Sequence, residues 1–159
     1  MRKYRPARRG QFVALSIPLG LDVQDVVLNG TFEKTGGPDG GGYGLILRDQ
    51  GPGVAGSTQS GRFLLFEAGD RGEVAVWQRD GARWIEIMPW TRSDAVRPGR
   101  AVKNELRVAA AGQQVSFYVN GLQVAGMSYT ALPTQGGPGV FVGGDLNEVT
   151  IARLSIQVP

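Results

Sequence analysis

Apolar and polar side chains alternate along most of this chain with a period of two rather than 3.6. From Val26 to Lys34, the set Val26, Leu28, Gly30 and Phe32 interleaves with Val27, Asn29, Thr31 and Glu33. That is the pattern of a strand with one buried and one wetted face. The clearest turn lies in Val115 to Val124, where Asn120-Gly121 separates two short runs of strand-forming residues. Asn-Gly suits that place because both central residues of a type I′ turn need positive φ. The same grammar predicts strands over 12–17, 26–34, 43–48, 62–68, 73–79, 83–87, 105–110, 115–120, 122–128, 139–143 and 148–158, about eleven in all. Asp80-Gly81 is the expected turn between the fifth and sixth of these. The segment 91–96 is the sole candidate for a helical or 3₁₀ turn, stopped by Pro98-Gly99. Loops rich in Gly, Pro, Ser and Thr are expected at 36–42, 50–60 and 130–138.

Many short antiparallel strands, with no helices to cover a parallel sheet, predict an all-β fold: a two-sheet antiparallel β-sandwich or jelly roll. The facing surfaces would be filled by Phe32, Leu45, Leu47, Leu64, Phe66, Leu106, Val108, Phe117, Val119, Val140, Val142, Ile151 and Leu154. At 159 residues the chain suits one domain. Residues 11–158 are expected to form it, with 1–10 as a basic arm or linker remnant. No fixed repeat points to a propeller or β-helix.

Composition then removes whole classes of chemistry. Histidine and cysteine are both absent, so disulfides, thiolate nucleophiles, Cys/His zinc sites and Ser-His or Cys-His pairs are excluded. Glycine, at 25 residues, is about twice its average usage and sits at the ends of apolar runs, where turns need it. The net charge of +3 is uneven. Arg2, Lys3, Arg5, Arg8 and Arg9 precede residue 11 without an acid; setting those five aside from the 17 basic residues leaves 12 against 14 acidic ones, a body of about −2. Such an arm could meet an anionic surface, or be a solvated tail. Only Tyr4 interleaves with its charges to stack on bases, so no nucleic-acid partner is expected. No apolar run approaches the ~20 residues of a membrane span, so no membrane insertion is expected. Phe12 to Leu21 resembles a short signal core, but Ser16 and Pro18 interrupt it and it reads better as a strand.

Several phrases, taken in order, form a familiar pattern. Gly37-Pro38-Asp39 leads into Tyr43-Gly44-Leu45-Ile46-Leu47-Arg48, then Arg62 to Glu67, then Val76-Trp77-Gln78-Arg79-Asp80-Gly81-Ala82-Arg83-Trp84. Pro89-Trp90-Thr91 runs to Pro98-Gly99 and Asn104 to Val108, followed by Phe117-Tyr118-Val119-Asn120-Gly121 and Gly139 to Gly143. Over residues 24–158 this order resembles the concanavalin A-like, laminin-G-like jelly rolls of bacterial surface and sensor proteins, including the domain class described as 3-keto-disaccharide hydrolase-like. The resemblance implies a sandwich placed outside the cell or on its surface. It implies little about activity, because such folds host lectins, glycosidases and inert spacers alike.

Trp77 shares a strand face with Arg79, opposite Val74 and Val76. With Arg48 and Glu67 as neighbours, these residues could form a concave-face ligand site that stacks and hydrogen-bonds a carbohydrate. The alternative places Trp77 at a sandwich edge and makes Arg48–Glu67 a cross-strand ion pair. Trp90 is expected to plug the core beneath a crossover loop. Asp39, Asp145 and Asn147 offer loop oxygens that would suit calcium, without the spacing of an EF-hand. Otherwise no cofactor is expected. Glycosidases of this fold class alternate carboxylates on one strand, about 5–5.5 Å apart for retaining chemistry, whereas Glu67, Asp70 and Glu73 straddle a turn. Gly40-Gly41-Gly42-Tyr43-Gly44 precedes a strand and is no dinucleotide fingerprint. The expectation is a non-catalytic carbohydrate-binding or spacer module; a sugar hydrolase using Glu67 and a self-associating structural protein are the alternatives.

Overall fold

The computed structural model describes residues 2–4 (backbone), 12–17, 24–51, 58, 61–144 and 146–158. They form twelve strands: β1 Arg2–Tyr4, β2 Val13–Ser16, β3 Val26–Gly36, β4 Gly42–Asp49, β5 Arg62–Gly69, β6 Glu73–Asp80, β7 Arg83–Arg92, β8 Lys103–Ala111, β9 Gln114–Val119, β10 Leu122–Ser128, β11 Gly137–Gly143 and β12 Glu148–Gln157. Two six-stranded antiparallel sheets result, ordered β1-β12-β3-β8-β9-β10 and β2-β11-β4-β5-β6-β7. This is the jelly-roll sandwich that the alternation predicts.

The main core lies between the sheets. Leu28, Phe32, Leu106, Val108 and Phe117 from the first sheet meet Leu45, Leu64, Phe66, Val74 and Val76 from the second. Phe66 and Phe117 span the gap with ring centroids 4.9 Å apart, and Phe32 stacks on Tyr43 at 5.2 Å. Each such side chain removed from water contributes about 1.5–3 kcal/mol. The Tyr43 hydroxyl accepts a hydrogen bond from the Asn104 amide at 2.8 Å. Burial, opposed by that bond, pushes the phenol up to about 12. Asn104 also bonds Arg97 N, Arg97 O and the Asn120 amide, so a fully buried polar side chain is satisfied on both ends. Asn120 has φ 50° and Gly121 φ 83°, and Val119 pairs with Leu122, which makes the two-residue turn the type I′ that Asn-Gly favours.

Four expectations change. Leu154 is 40% exposed rather than in the core. A bulge between Ile151 and Arg153 brings Leu154 opposite Gly30, on the core side of β3. However, β1 flanks β12 only over Val149, Thr150 and Ile151, so among the described residues Leu154 lies at the open edge of the sheet, where water reaches it. The segment 91–96 holds less of a turn than expected: Thr91 and Arg92 pair with Val74 and Glu73, so the ladder takes those backbone groups. The turn is confined to Ser93–Val96, closed by Val96 N donating to Ser93 O at 3.2 Å. The β6–β7 loop is Gly81-Ala82, because Asp80 pairs with Arg83; Gly81 has φ 63° while Ala82 stays out of the left-handed region, as in a II′ turn. Finally, Arg2–Tyr4, within the basic arm, pairs through its backbone with Val149, Thr150 and Ile151 of β12.

Candidate functional site

Alternation gives the second sheet an outer face as well as a core face. On β5, Leu64, Phe66 and Ala68 point to the main core. Phe63 and Leu65 belong to a second cluster outside the sheet, and Glu67 and Gly69 share that side by the period of two. On β6, Val74 and Val76 are core, which leaves Ala75, Trp77 and Arg79 on the outer face. Cross-strand pairing then sets Glu67 opposite Ala75 and Gly44, and Gly69 opposite Glu73 and Gly42.

This face has two unlike halves. One is aromatic: Trp84 lies edge-on to Phe12 at 5.2 Å, Phe141 at 5.7 Å, Phe63 at 6.0 Å and Trp77 at 6.5 Å. Arg79 lays its guanidinium over Trp84 at 4.8 Å and Phe12 at 5.0 Å, and burial pulls its pKa down. Edge-to-face rings and a cation over two of them make a tight, self-supporting layer. The other half is bare. A Cβ on Gly42 would lie 2.2 Å from the Glu67 carboxyl, one on Gly143 3.5 Å from it, and one on Gly44 2.0 Å from the Phe66 carbonyl oxygen. Only glycines let that carboxyl lie flat on the sheet.

Glu67 is 7% exposed, and among the described residues no hydrogen bond or ion pair engages it. Burial alone raises its pKa to about 8, so it is a neutral acid at pH 7. Further along the same half lies a cleft of about 110 Å³ between Gly40, Gly41 and Gly69 on one side and Arg71, Glu73 and Trp90 on the other. Asp70 borders it too, but that carboxylate is occupied. Lys34, itself fully buried, pairs with it, and Gly40 N donates to both of its oxygens at 3.0 and 3.1 Å.

The structure therefore brings Glu67, Trp77 and Arg79 to one face and takes Arg48 away from it. Arg48 has φ 55°, and this left-handed residue sends its side chain to the end of the sandwich. There the guanidinium donates to Tyr129 O at 3.2 Å and to Gly112 O and lies 5.9 Å from the Tyr129 ring; burial lowers its pKa. The Tyr129 hydroxyl in turn donates to Gln78 at 2.6 Å. Arg48 closes one end of the core, and the Arg48–Glu67 pair does not form because Glu67 sits opposite Gly44. Trp90 is also misplaced by sequence: it is 40% exposed, with its ring above Gly69 at the mouth of the cleft. The i, i+2 spacing of Gly42 and Gly44, astride the core residue Tyr43, is the sequence signal that could have revealed the bare floor.

Of the three calcium candidates, Asp39 is exposed on the loop before β4 and Asp145 lies outside the described residues. Asn147 is fully buried, its amide donating to Gly42 O at 3.0 Å and Gly143 O at 2.9 Å, with Oδ1 unpartnered. It ties the start of β4 to the end of β11 beneath the bare half. Among the described residues no three acidic side chains converge as metal ligands. Nor is any helix among them long and apolar enough to cross a membrane.

No protein-family model matches the chain, and no curated protein matches it in sequence. Solved structures do match in fold. The chain is similar to the carbohydrate-binding module CBM66 from Bacillus subtilis (TM-score 0.73, 12% identity, 94% of this chain and 84% of that one). It is also similar to the metal-free carbohydrate recognition domain of Emp46p (TM-score 0.67, 13% identity, 97% and 81%). A third likeness is to CG-16, a homodimeric agglutinin from chicken liver (TM-score 0.61, 11% identity, 92% and 100%). The architecture is thus the concanavalin A-like jelly roll of carbohydrate-binding modules and lectins, shared at identities that speak for the fold alone.

Proposed function

We propose that this protein is a non-catalytic carbohydrate-binding module whose ligand lies on the outer face of the second sheet, the face that carries Glu67, Trp77 and Arg79. The observation that carries this reading is a buried carboxyl that has no partner among the described residues, on a bare glycine floor, beside half-buried indoles. Sugar rings combine apolar faces with outward hydroxyls, so they suit aromatic surface next to a polar group awaiting a partner. Location outside the cell or on its surface fits a glycan ligand. The test is a glycan array followed by titration of tryptophan fluorescence. A saturable response to an oligosaccharide supports the reading, and no response across the array leaves a spacer role instead.

One observation favours glycoside hydrolysis as a second reading. The hairpin sets Glu73 diagonally across from Glu67 on the same face. Diagonal positions lie about 7–8 Å apart at the backbone, which puts two carboxyl groups within reach of one sugar ring. Glu67, protonated at neutral pH, would donate to the leaving oxygen while Glu73 takes a proton from the attacking water. Release of reducing sugar that disappears in both Glu67→Gln and Glu73→Gln would establish this reading; background rates in the parent protein would end it.

A further inference from the structure

The outer face offers a ligand two places, and they differ in what is left unused. In the aromatic half the rings spend their edges and faces on one another, and Arg79 covers two of them. In the bare half Trp90 keeps much of its surface open, the floor has no side chains, and the Glu67 carboxyl has no partner among the described residues. We infer that the binding subsite is the glycine-floored cleft that Trp90 lines, with Glu67 beside it on the same face, and that its ligand is an uncharged sugar ring stacked on Trp90 with a hydroxyl reaching out of the cleft to hydrogen-bond Glu67. This deepens the carbohydrate reading above and rests on it.

The lack of charge follows from the lining. Asp70 is neutralised by Lys34 and the Gly40 amide. Arg71 and Glu73, which both line the cleft, carry opposite charges. Among the described residues no cation stands next to Glu67 to hold a sugar carboxylate there: β4 and β11 face it with Gly42, Gly44 and Gly143, and β6 with Ala75 opposite and Glu73 and Trp77 on the diagonals. Glu86, opposite Trp77 on β7, adds another acid. The geometry also explains the floor. The Gly69 Cβ position is 3.2 Å from the Trp90 ring, so a side chain there would lift the indole from its seat.

As a neutral acid Glu67 donates its proton to a hydroxyl oxygen. Once ionised it could only accept, in a seat that disfavours the charge. Binding should therefore weaken as pH rises through about 8.

The experiment is calorimetric titration of the full chain with neutral gluco-, galacto- and fructo-oligosaccharides and with an oligogalacturonate, at pH 6, 7 and 9. The expected result is binding of a neutral saccharide, about tenfold or more weaker for the oligogalacturonate. Trp90→Ala and Gly69→Ala should each weaken binding about tenfold or more, with circular dichroism unchanged. Glu67→Gln, which keeps a donor at every pH, should bind at pH 9 as it does at pH 7. A neutral saccharide that binds Trp90→Ala as tightly as the parent, or a preference for the oligogalacturonate, would overturn the subsite and leave carbohydrate binding standing. Binding that is flat with pH in the parent protein would overturn the role of the Glu67 proton. No binding of any saccharide would overturn both inferences together.

Discussion

The two halves of the outer face are built from adjacent stretches of the same strands, yet they are put to opposite uses. On β5, Phe63 and Leu65 are sealed under Trp84 and Phe12, while Glu67 and Gly69, two and four residues beyond Leu65, lie on a floor without side chains. The aromatic half is in effect a second small core, where apolar area leaves water and rings meet edge to face. The bare half gives up that area and keeps a neutral carboxyl and an exposed indole. Tryptophan identity alone therefore says little: Trp84 holds the fold together, whereas Trp90 is free to meet a ligand.

Substitutions can break this comparison directly. The largest effect is expected from Trp84→Ala, which strips the half-buried centre of the aromatic half and should cost about 2–3 kcal/mol, less than a fully buried tryptophan, read as a lowered denaturant midpoint. If its cost is no greater than that of Trp90→Ala, the two halves are not different in kind. Arg48→Ala comes next: it removes the donor from the buried Tyr129 carbonyl and from the half-buried Gly112 carbonyl and should cost about 1–2 kcal/mol, with no effect on saccharide affinity because the residue is remote from the face.

Proton linkage sharpens the comparison within the bare half. The folded pKa of Glu67, about 8, lies above the ordinary glutamate value. Below the ordinary value the folded and unfolded chains both hold the proton; between there and about 8 only the folded chain does. The stability this group contributes is thus complete at low pH and is lost as pH rises through that window, at up to about 1.4 kcal/mol per pH unit. Glu67→Gln should flatten that slope in chemical denaturation measured from pH 5 to 9, and an unchanged slope would mean the carboxyl is solvated. The smallest effect on stability is expected for Trp90→Ala, within about 0.5 kcal/mol, although its effect on saccharide binding is among the largest.

Much of the fold was legible because its determinants are local. The alternation in 26–34 marks the buried and wetted faces of β3 as they occur, and Asn120-Gly121 forms the turn its dihedral preferences require. Of the candidate site, the common face of Trp77 and Arg79 followed from the same period, given that Val74 and Val76 are core. Arg48 did not follow, since a single left-handed residue at the end of β4 turns a side chain that alternation would place outside. Trp90 did not follow because bulges in the β6–β7 pairing around Val76 re-aim the end of β7, and the sequence does not mark them.

By itself, the sequence determined the architecture, the Asn120-Gly121 turn, most of the main core and the absence of histidine and cysteine chemistry, since period and residue type act over a few neighbours along the chain. Tertiary structure alone decided that Leu154 is exposed to solvent, that Arg48 is a structural residue, that Lys34 meets Asp70, and that Glu67 rests on glycines from two other strands with no partner among the described residues. Register and bulges are settled between strands distant in sequence, and a carboxyl's protonation depends on who its neighbours are and how much water they leave it.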